Sequence, residues 1–400
     1  MVTSIRFHGN EVTDDYIIQR EIQHPLDAPL DSSVINNDKN RLLNLGIFND
    51  VRFMVISQND GTVELNYIFL ETWRYLPAIV PQYSEETGWS LLLGLAVKNF
   101  RGHNQSLYIN MSFGGLDAYG IAFEDPWIMG DHVSLYTDIW RHEYPSMFLP
   151  YNMVETYSNL IFGRYFGYSK KVKVGLEVIR REFNGSEESY IMEYLSPTIS
   201  MTYDTRDLYS NPTKGFYIKW IYDGKYGFTE NNISFALLSQ SYSVYKSLSS
   251  GDKPWIIGLN GTLNLNPGKI PYPWTEYLGG AYTIRGWSVP NNNIYSSGQY
   301  DYRFGHHQWM ASMELRKTII PKRVPVPGIE YGLDIAFFLD AGAISDKIGS
   351  LGDQIPMVGA GFGIRIPMTG YQSIRCDYGY AYYNGEWIDE SLYVTFGHKF

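Results

Sequence analysis

One arginine in a glycine-rich stretch and two carboxylates further along the chain have residue types that suit an internal ion pair. The stretch Tyr277–Trp287 reads YLGGAYTIRGW, with Arg285 between a β-branched residue and a glycine. A guanidinium held by Glu314 and Asp340 would be a charge-assisted contact with fixed geometry. From its local spelling alone, the same stretch is equally typical of an ordinary surface turn.

Motifs for catalysis or cofactor binding are absent from the sequence. The chain contains no G-x-S-x-G, no H-E-x-x-H and no phosphate-binding loop. A single cysteine, Cys376, excludes a disulfide framework or a cysteine metal site within one chain. The net charge of −10 argues against nucleic acid as a partner. We therefore predict no enzymatic activity, no catalytic residue, no metal and no cofactor.

Apolar and polar residues alternate with period two from Trp73 to Phe400, which predicts the strands that position the two carboxylates. The alternation leaves Asp340 and Glu314 on the polar face of two neighbouring strands. The apolar positions that establish this parity are Leu333, Ile335, Phe337 and Leu339 for the first, and Trp309, Ala311, Met313 and Leu315 for the second. Both carboxylates should therefore point to the same side of one sheet.

Alternation alone does not separate a soluble β-sandwich from a transmembrane β-barrel, whose polar face lines the lumen. Long strands of roughly ten residues, as a tilted membrane-spanning strand requires, favour the barrel. An aromatic content of 16% and a final strand, Leu392–Phe400, that ends on an aromatic residue also favour it. We predict an antiparallel barrel of about sixteen strands, the even number typical of bacterial barrels. Strand parity then places Arg285 outside, between the eleventh and twelfth strands.

The first 73 residues predict a separate α+β domain with the order βααββ. Asp31 can cap the second helix and Gly46 can end it, and Asn59-Asp60-Gly61 is a hairpin turn between the last two strands. We expect this domain to occupy residues 1–73. The barrel then occupies residues 74–400, with an inward-folded loop around 269–306.

The N-terminal domain resembles a POTRA domain, on the runs IRFHGN at Ile5–Asn10 and RLLNLGIFNDV at Arg41–Val51. Together with the barrel, the chain resembles the Omp85 superfamily, the family of BamA and TamA. The loop motif of that family, VRGF or VRGY, resembles Ile284-Arg285-Gly286-Trp287 behind the pair Gly279 and Gly280. Isoleucine replaces the usual valine and tryptophan the usual phenylalanine or tyrosine, while the Arg-Gly pair is intact.

Three more motifs carry the resemblance, in the order expected for the family. A turn assigned to the periplasmic side resembles the family signature at Asp204, Arg206, Asp207, Pro212 and Gly215. The run Phe338–Gly342 resembles the F-x-D-x-G strand, and Glu314 lies in the acidic strand before it. Phe396, Gly397 and Phe400 resemble the C-terminal β-signal. The resemblance implies a lumen latch in which Arg285 and Gly286 meet Glu314, Asp340 and Gly342.

The resemblance implies an outer-membrane protein, with its POTRA domain in the periplasm, that inserts and folds other β-barrels through a weak seam. Its implied partners are the outer-membrane lipid bilayer and unfolded outer-membrane protein clients, with periplasmic chaperones or accessory lipoproteins as helpers. Pro77 and Pro81 in the first barrel strand remove hydrogen-bond donors and would weaken that seam. Two alternatives stay open: a two-partner-type secretion pore, and a structural or porin-like barrel without clients.

Overall fold

The first 71 residues form a three-stranded sheet with two helices. In chain order the elements are β1 (Val2–His8), α1 (Asp15–Gln19), α2 (Ser32–Asn44), β2 (Phe48–Ser57) and β3 (Val63–Glu71). The sheet order is β1-β3-β2, with β1 parallel and β2 antiparallel to β3. The predicted order βααββ is confirmed. The computed structural model describes residues 1–400 apart from 85–86, 131, 147–150, 186–188, 229–232, 291, 299–300, 327–328 and 369–372.

Helix α2 owes its limits and its orientation to local sequence. The Asp31 carboxylate accepts hydrogen bonds from the main-chain N–H groups of Ser33 and Val34, which caps the first turn. Ile35 and Leu42 lie one above the other on the helix and are fully buried against the sheet. Strand β2 lies at one edge of this sheet, and Met54 and Ile56 in its second half are exposed.

Sixteen further strands form one antiparallel sheet in which the strands follow the order of the chain. They are β4 (Tyr75–Ser84), β5 (Gly88–Phe100), β6 (Gln105–Gly114), β7 (Asp117–Asp125), β8 (Val133–Pro145), β9 (Asn152–Phe166), β10 (Lys170–Asn184), β11 (Ser189–Asp204), β12 (Gly215–Gly227), β13 (Phe235–Ser247), β14 (Trp255–Leu265), β17 (His307–Val326), β18 (Ile329–Ser345), β19 (Met357–Ile366), β20 (Ile374–Tyr383) and β21 (Glu386–Phe396). The predicted strand number and antiparallel class are confirmed.

The long connection between β14 and β17 carries its own short elements. A separate two-stranded ladder joins β15 (Glu276–Tyr277) to β16 (Phe304–Gly305), and α3 spans Asn292–Ser296. Short 3-10 helices cover Tyr272–Trp274, Asp301–Arg303 and, after β18, Ile348–Asp353. Within the part of the chain that the structure describes, no helix has both the length and the apolar character needed to cross a membrane.

The large sheet turns its apolar face outward and its polar face inward. On β6, Met111 is 47% exposed whereas its neighbour Ser112 is 3% exposed. On β18, Leu339 is 44% exposed and Asp340 is completely buried. Outward apolar side chains and an enclosed polar lumen are the arrangement of a membrane barrel, because a soluble sandwich buries its apolar face.

The two ends of the sheet are β4 and β21, and no ladder joins them among the described residues. The register of β4 shows which of its groups face this open edge. Lys98 donates its main-chain N–H to the carbonyl of Arg74 at 2.8 Å, so the hydrogen-bonded pairs with β5 fall on even-numbered residues of β4. Main-chain groups of the odd-numbered residues, Pro77 and Pro81 included, therefore point at the edge.

Candidate functional site

The connection between β14 and β17 folds back into the lumen of the barrel at Leu278–Trp287. Leu278, Ile284 and Trp287 are fully buried there and pack with apolar residues of β18 and β19. The indole N–H of Trp287 donates to the carbonyl of Val358 at 2.9 Å. An indole that is buried with its N–H paired is a rigid anchor. The aromatic residue after the Arg-Gly pair thus fixes the loop to the barrel wall.

Glycines allow the tip of this loop to approach the wall closely. Gly286 has a φ of +97°, and a β-carbon there would lie 2.5 Å from the carbonyl oxygen of Tyr380. On the wall itself, a β-carbon at Gly359 would lie 1.7 Å from the carbonyl oxygen of Arg285. Gly280 donates to the carbonyl of Trp287 at 2.7 Å and closes the tip. Larger residues at these positions would move the loop away from the strands.

Arg285 is completely buried and contacts both of the carboxylates assigned to it by strand parity. Its Nε and Nη2 donate to the two oxygens of Asp340 at 2.8 and 3.0 Å, and its Nη1 donates to Glu314 at 2.9 Å. The guanidinium carbon lies 3.7 Å from the ring centroid of Phe338. Gly342, two residues after Asp340, leaves room for the Ile284 side chain, because a β-carbon at Gly342 would lie 2.9 Å from Ile284 Cδ1.

The charge network extends beyond the predicted residues to β19 and β20. Asp377 accepts from Arg285 Nη1 at 3.3 Å and from Arg365 Nη1. Arg365 also donates to Glu314 at 2.9 Å, and Arg375 Nε lies 3.4 Å from Asp377. We call this the lumen cluster, and its members are Arg285, Glu314, Arg316, Asp340, Arg365, Arg375, Asp377 and Lys399. The sequence alone did not single out five of these residues, Arg316, Arg365, Arg375, Asp377 and Lys399. Of these, Asp377 and Arg375 alternate with the outward-facing residues of β20.

The predicted turn motif lies between β11 and β12 and is held by its own charged side chains. Arg206 donates twice to Asp204, at 3.0 and 2.8 Å, and Asp207 accepts from the main chain of Thr213 at 2.9 Å. A β-carbon at Gly215 would lie 2.4 Å from the carbonyl of Thr205, so this position needs glycine. The motif thus forms a compact turn with two internal carboxylate contacts.

The same turn reaches the lumen cluster through Arg316. Arg316 donates to the side chain of Asn211 and to the carbonyl of Pro212, each at 2.5 Å. Its Nε lies 4.0 Å from Glu314. Asn211 in turn donates to Asp334 on β18 at 3.1 Å. Two motifs about a hundred residues apart, the turn at Pro212 and the strand at Glu314, therefore share one buried arginine.

The N-terminal domain contacts the barrel at the turn between β11 and β12 and at Trp127. Asn44 of α2 donates to the carbonyl of Asp207 at 3.0 Å and accepts from the N–H of Tyr209 at 2.9 Å. The Arg20 guanidinium stacks over Trp127, with 3.9 Å to the ring centroid. A cavity of about 450 Å³ lies between the two parts. Glu21 lines this cavity, and burial raises its pKa to about 7.

The C-terminal residues do not continue the last strand as predicted. Strand β21 ends at Phe396, which pairs with Ile374, and Gly397 turns the chain with a φ of +80°. Lys399 then lies inside the barrel with its side chain 4% exposed, and the Phe400 ring lies against Tyr245. The expectation of a strand through Phe400 is therefore wrong, because the Lys399 ammonium finds a buried partner in the lumen.

Comparison with known proteins supports the division into an N-terminal domain and a barrel. Residues 99–400 match the Omp85 superfamily domain, and residues 1–72 match the POTRA domain described as a surface antigen variable number repeat. The chain therefore belongs to the Omp85 superfamily, as its motifs indicated. It is similar to the outer membrane protein assembly factor BamA of Neisseria meningitidis serogroup B, with 22% identity over 86% of this chain. The match spans 46% of that protein, so the chain covers about half of its relative's length.

Two solved structures share the fold of this chain. BamA from Haemophilus ducreyi lacking POTRA domains 1-3 matches with a TM-score of 0.61 and 18% identity, over 98% of this chain and 82% of that one. CdiB from Escherichia coli matches with a TM-score of 0.62 and 12% identity, over 98% of this chain and 75% of that one. At these identities the likeness shows a shared fold alone.

Proposed function

We propose that this protein is an outer-membrane assembly factor that inserts and folds client β-barrel proteins through the edge between β4 and β21. The observation that carries the proposal is the missing ladder between these two strands among the described residues. An unpaired strand edge in a bilayer leaves main-chain polar groups without partners, which is costly. A client strand that pairs with the edge relieves this cost while it enters the membrane.

The sequence of β4 keeps this edge from closing tightly. The odd-numbered residues of β4 point their main-chain groups at the seam, and two of them are Pro77 and Pro81. Proline has no N–H to donate. A self-closing ladder with β21 would therefore lack donors at two places, which favours exchange with an incoming strand.

The inward loop fixes the other side of the seam. Within the latch, Arg285 contacts β17 through Glu314, β18 through Asp340 and β20 through Asp377. The hydroxyl of Tyr393 on β21 accepts from Gly286 and donates to the carbonyl of Trp287. One loop thus holds the last strands together, so the seam would open by movement of the β4 side.

Two surfaces indicate the remaining partners, namely the outward apolar face of the barrel and the edge of the N-terminal sheet at β2. The outward apolar face fits the outer-membrane lipid bilayer, and with the barrel in that membrane the POTRA domain would lie in the periplasm. The exposed edge strand β2 can bind an extended client segment by β-augmentation and pass it to the seam. Unfolded outer-membrane proteins are the clients, and periplasmic chaperones or accessory lipoproteins would deliver them.

Depletion of the protein in its host, followed by quantitation of folded outer-membrane proteins, tests this proposal. We expect many barrel proteins to fall together while their messenger levels hold. Loss of a single exported substrate, with the barrel proteins unchanged, would support a secretion pore instead. An unchanged outer-membrane proteome would indicate a structural or porin-like barrel without clients.

A further inference from the structure

We propose that the lumen wall carries a binding site for a small, water-soluble anion of the phosphate class, formed by the half-buried lysines Lys171, Lys173 and Lys219. These three residues are the lysine triad. The inference goes beyond the proposed function, because it assigns a ligand site on the middle strands of the barrel, away from the seam and from the latch.

The lysine triad faces the lumen and lies in register across three neighbouring strands. Lys171 on β10 is opposite Thr202 on β11, and Thr202 is opposite Lys219 on β12. The α-carbons of these two lysines are therefore about 10 Å apart, and Lys173 follows on the same face of β10. On the outer face, Val174 is 52% exposed and Trp220 is 50% exposed. A bound anion would thus come from water in the lumen and not from a lipid headgroup.

Gly163 on β9 makes room for two of the lysine side chains. A β-carbon at Gly163 would lie 2.9 Å from Lys171 Cε and 3.3 Å from Lys173 Cγ, and would clash with the hydroxyl of Ser134 on β8. Lys171 Nζ donates to the Tyr165 hydroxyl at 2.7 Å. Tyr165 also lines the cavity of about 450 Å³ between the N-terminal domain and the barrel. The lysine triad therefore adjoins a cavity through which an anion can reach it.

The lysine triad differs from other lumen lysines in its lack of acidic partners. Lys225 Nζ lies 2.7 Å from Glu177, and Lys399 Nζ lies 2.9 Å from Asp340. In the described part of the chain, no member of the lysine triad forms an ion pair with a carboxylate, although Glu124 attracts one member at longer range. The charge at the middle of the triad repels both of the other cations. One multiply charged anion would relieve this repulsion.

Ammonium and hydroxyl groups together suit a phosphate. The planar fork of arginine matches a carboxylate, whereas lysine binds phosphate as a compact point charge. Thr202 lies between two members of the lysine triad, and Ser241 on β13 is opposite Lys219. Their hydroxyls can donate to phosphate oxygens beside the ammonium groups. The chemistry of the site therefore favours phosphate over an acidic peptide.

Isothermal titration calorimetry of the purified, detergent-solubilised full-length protein with inorganic pyrophosphate tests the site. We expect saturable binding that weakens as the salt concentration rises. Lys173→Met should weaken the binding about tenfold or more, because it removes a charged donor. Lys173→Arg should keep most of the affinity. Lys170→Met, at an exposed lysine on the same strand, is the matched control and should leave the affinity unchanged.

Thermal unfolding separates a binding role from a structural one. Pyrophosphate should raise the temperature at which the unmodified protein loses its heat-modifiable migration, because the ligand binds the folded state. It should not raise this temperature for Lys173→Met. Without pyrophosphate, Lys173→Met should unfold at the same temperature as the unmodified protein or higher, since the substitution removes repulsion. Lys219→Met provides a second variant with the same expected results.

The site is overturned if the unmodified protein shows no saturable binding of pyrophosphate, or if Lys173→Met binds it with equal affinity. Binding of tetraglutamate as tightly as pyrophosphate would overturn the phosphate class and favour an acidic peptide. The titration contains no client. It can therefore fail while the depletion experiment succeeds, and the reverse.

Discussion

Arg285 and Asp340 meet through three hydrogen bonds, because the main-chain N–H of Arg285 and two nitrogens of its guanidinium all donate to one carboxylate. The main-chain bond matters as much as the ion pair, since it fixes the backbone of the loop and not only a flexible side chain. Asp340 on β18 therefore holds both the backbone and the side chain of Arg285 in place.

Replacing the latch arginine should destabilise the barrel strongly. Arg285→Ala leaves buried carboxylates with fewer cations, and removing one partner of a buried pair costs about 3–5 kcal/mol. We expect a lower unfolding midpoint and loss of heat-modifiable migration at a lower temperature. Arg180→Ala is the matched control, because Arg180 pairs with Glu182 and Glu193 on the surface, and exposed ion pairs contribute little to stability. Equal midpoints for the two variants would contradict the latch.

The Tyr393 hydroxyl connects the last strand to the tip of the inward loop, so removing this hydroxyl should loosen the tip. Tyr393→Phe leaves the N–H of Gly286 and the carbonyl of Trp287 buried without this partner, which costs about 1–3 kcal/mol. We expect faster hydrogen exchange at residues 286–288 with little change in β5–β12. Tyr119→Phe, at an exposed ring on β7, serves as control. The role assigned to Tyr393 is wrong if exchange at the loop tip does not change.

Contact between the POTRA domain and the barrel should weaken as the pH rises. Burial raises the pKa of Glu21 from its ordinary value of 4.5 to about 7, so the folded state binds the proton more tightly than the unfolded chain does. The resulting stability is fully present below the ordinary pKa and is lost as the pH rises through about 7. Limited proteolysis across this range should show increasing cleavage of the linker at residues 72–74. Glu21→Gln should remove this part of the pH dependence, and an unchanged profile would refute the assignment.

Restoring hydrogen-bond donors to the first barrel strand should slow client insertion. The double substitution Pro77→Ala and Pro81→Ala supplies two N–H groups to the open edge, and each added main-chain hydrogen bond stabilises by about 0.5–1.5 kcal/mol. We expect a tighter seam and slower folding of a urea-unfolded barrel client into liposomes that contain the protein. Pro29→Ala, at an exposed POTRA loop, controls for the general effect of losing proline. Unchanged client folding would argue that exchange at this edge is not the limiting step.

Side-chain parity is local information, which explains why part of the site could be predicted from the sequence. Glu314 and Asp340 were assigned to the polar face from four neighbours each, and the structure places both against Arg285. The same parity was available for Arg375 and Asp377. It did not reveal that Asp377 contacts both Arg285 and Arg375, because that requires the position of β20 relative to the loop.

Side-chain parity does not predict the position of the residues after β21. Residues up to Phe400 continue the alternating pattern of a strand, and nothing in the local spelling gives Lys399 a partner. Its partner is Asp340, on a strand far earlier in the chain. The POTRA domain was easier, since its capping residue Asp31 and its helix-ending Gly46 act on adjacent residues.

The sequence distances within the lumen cluster also determine when the latch can form. Arg285 must wait for Asp377, 92 residues later, and Gly286 must wait for Tyr393, 107 residues later. Contacts of such long separation form late in folding, because the intervening chain must first be ordered. A chain cut short before β20 would lack these partners for the loop. Docking of the loop therefore signals that the barrel has been built to its last strand.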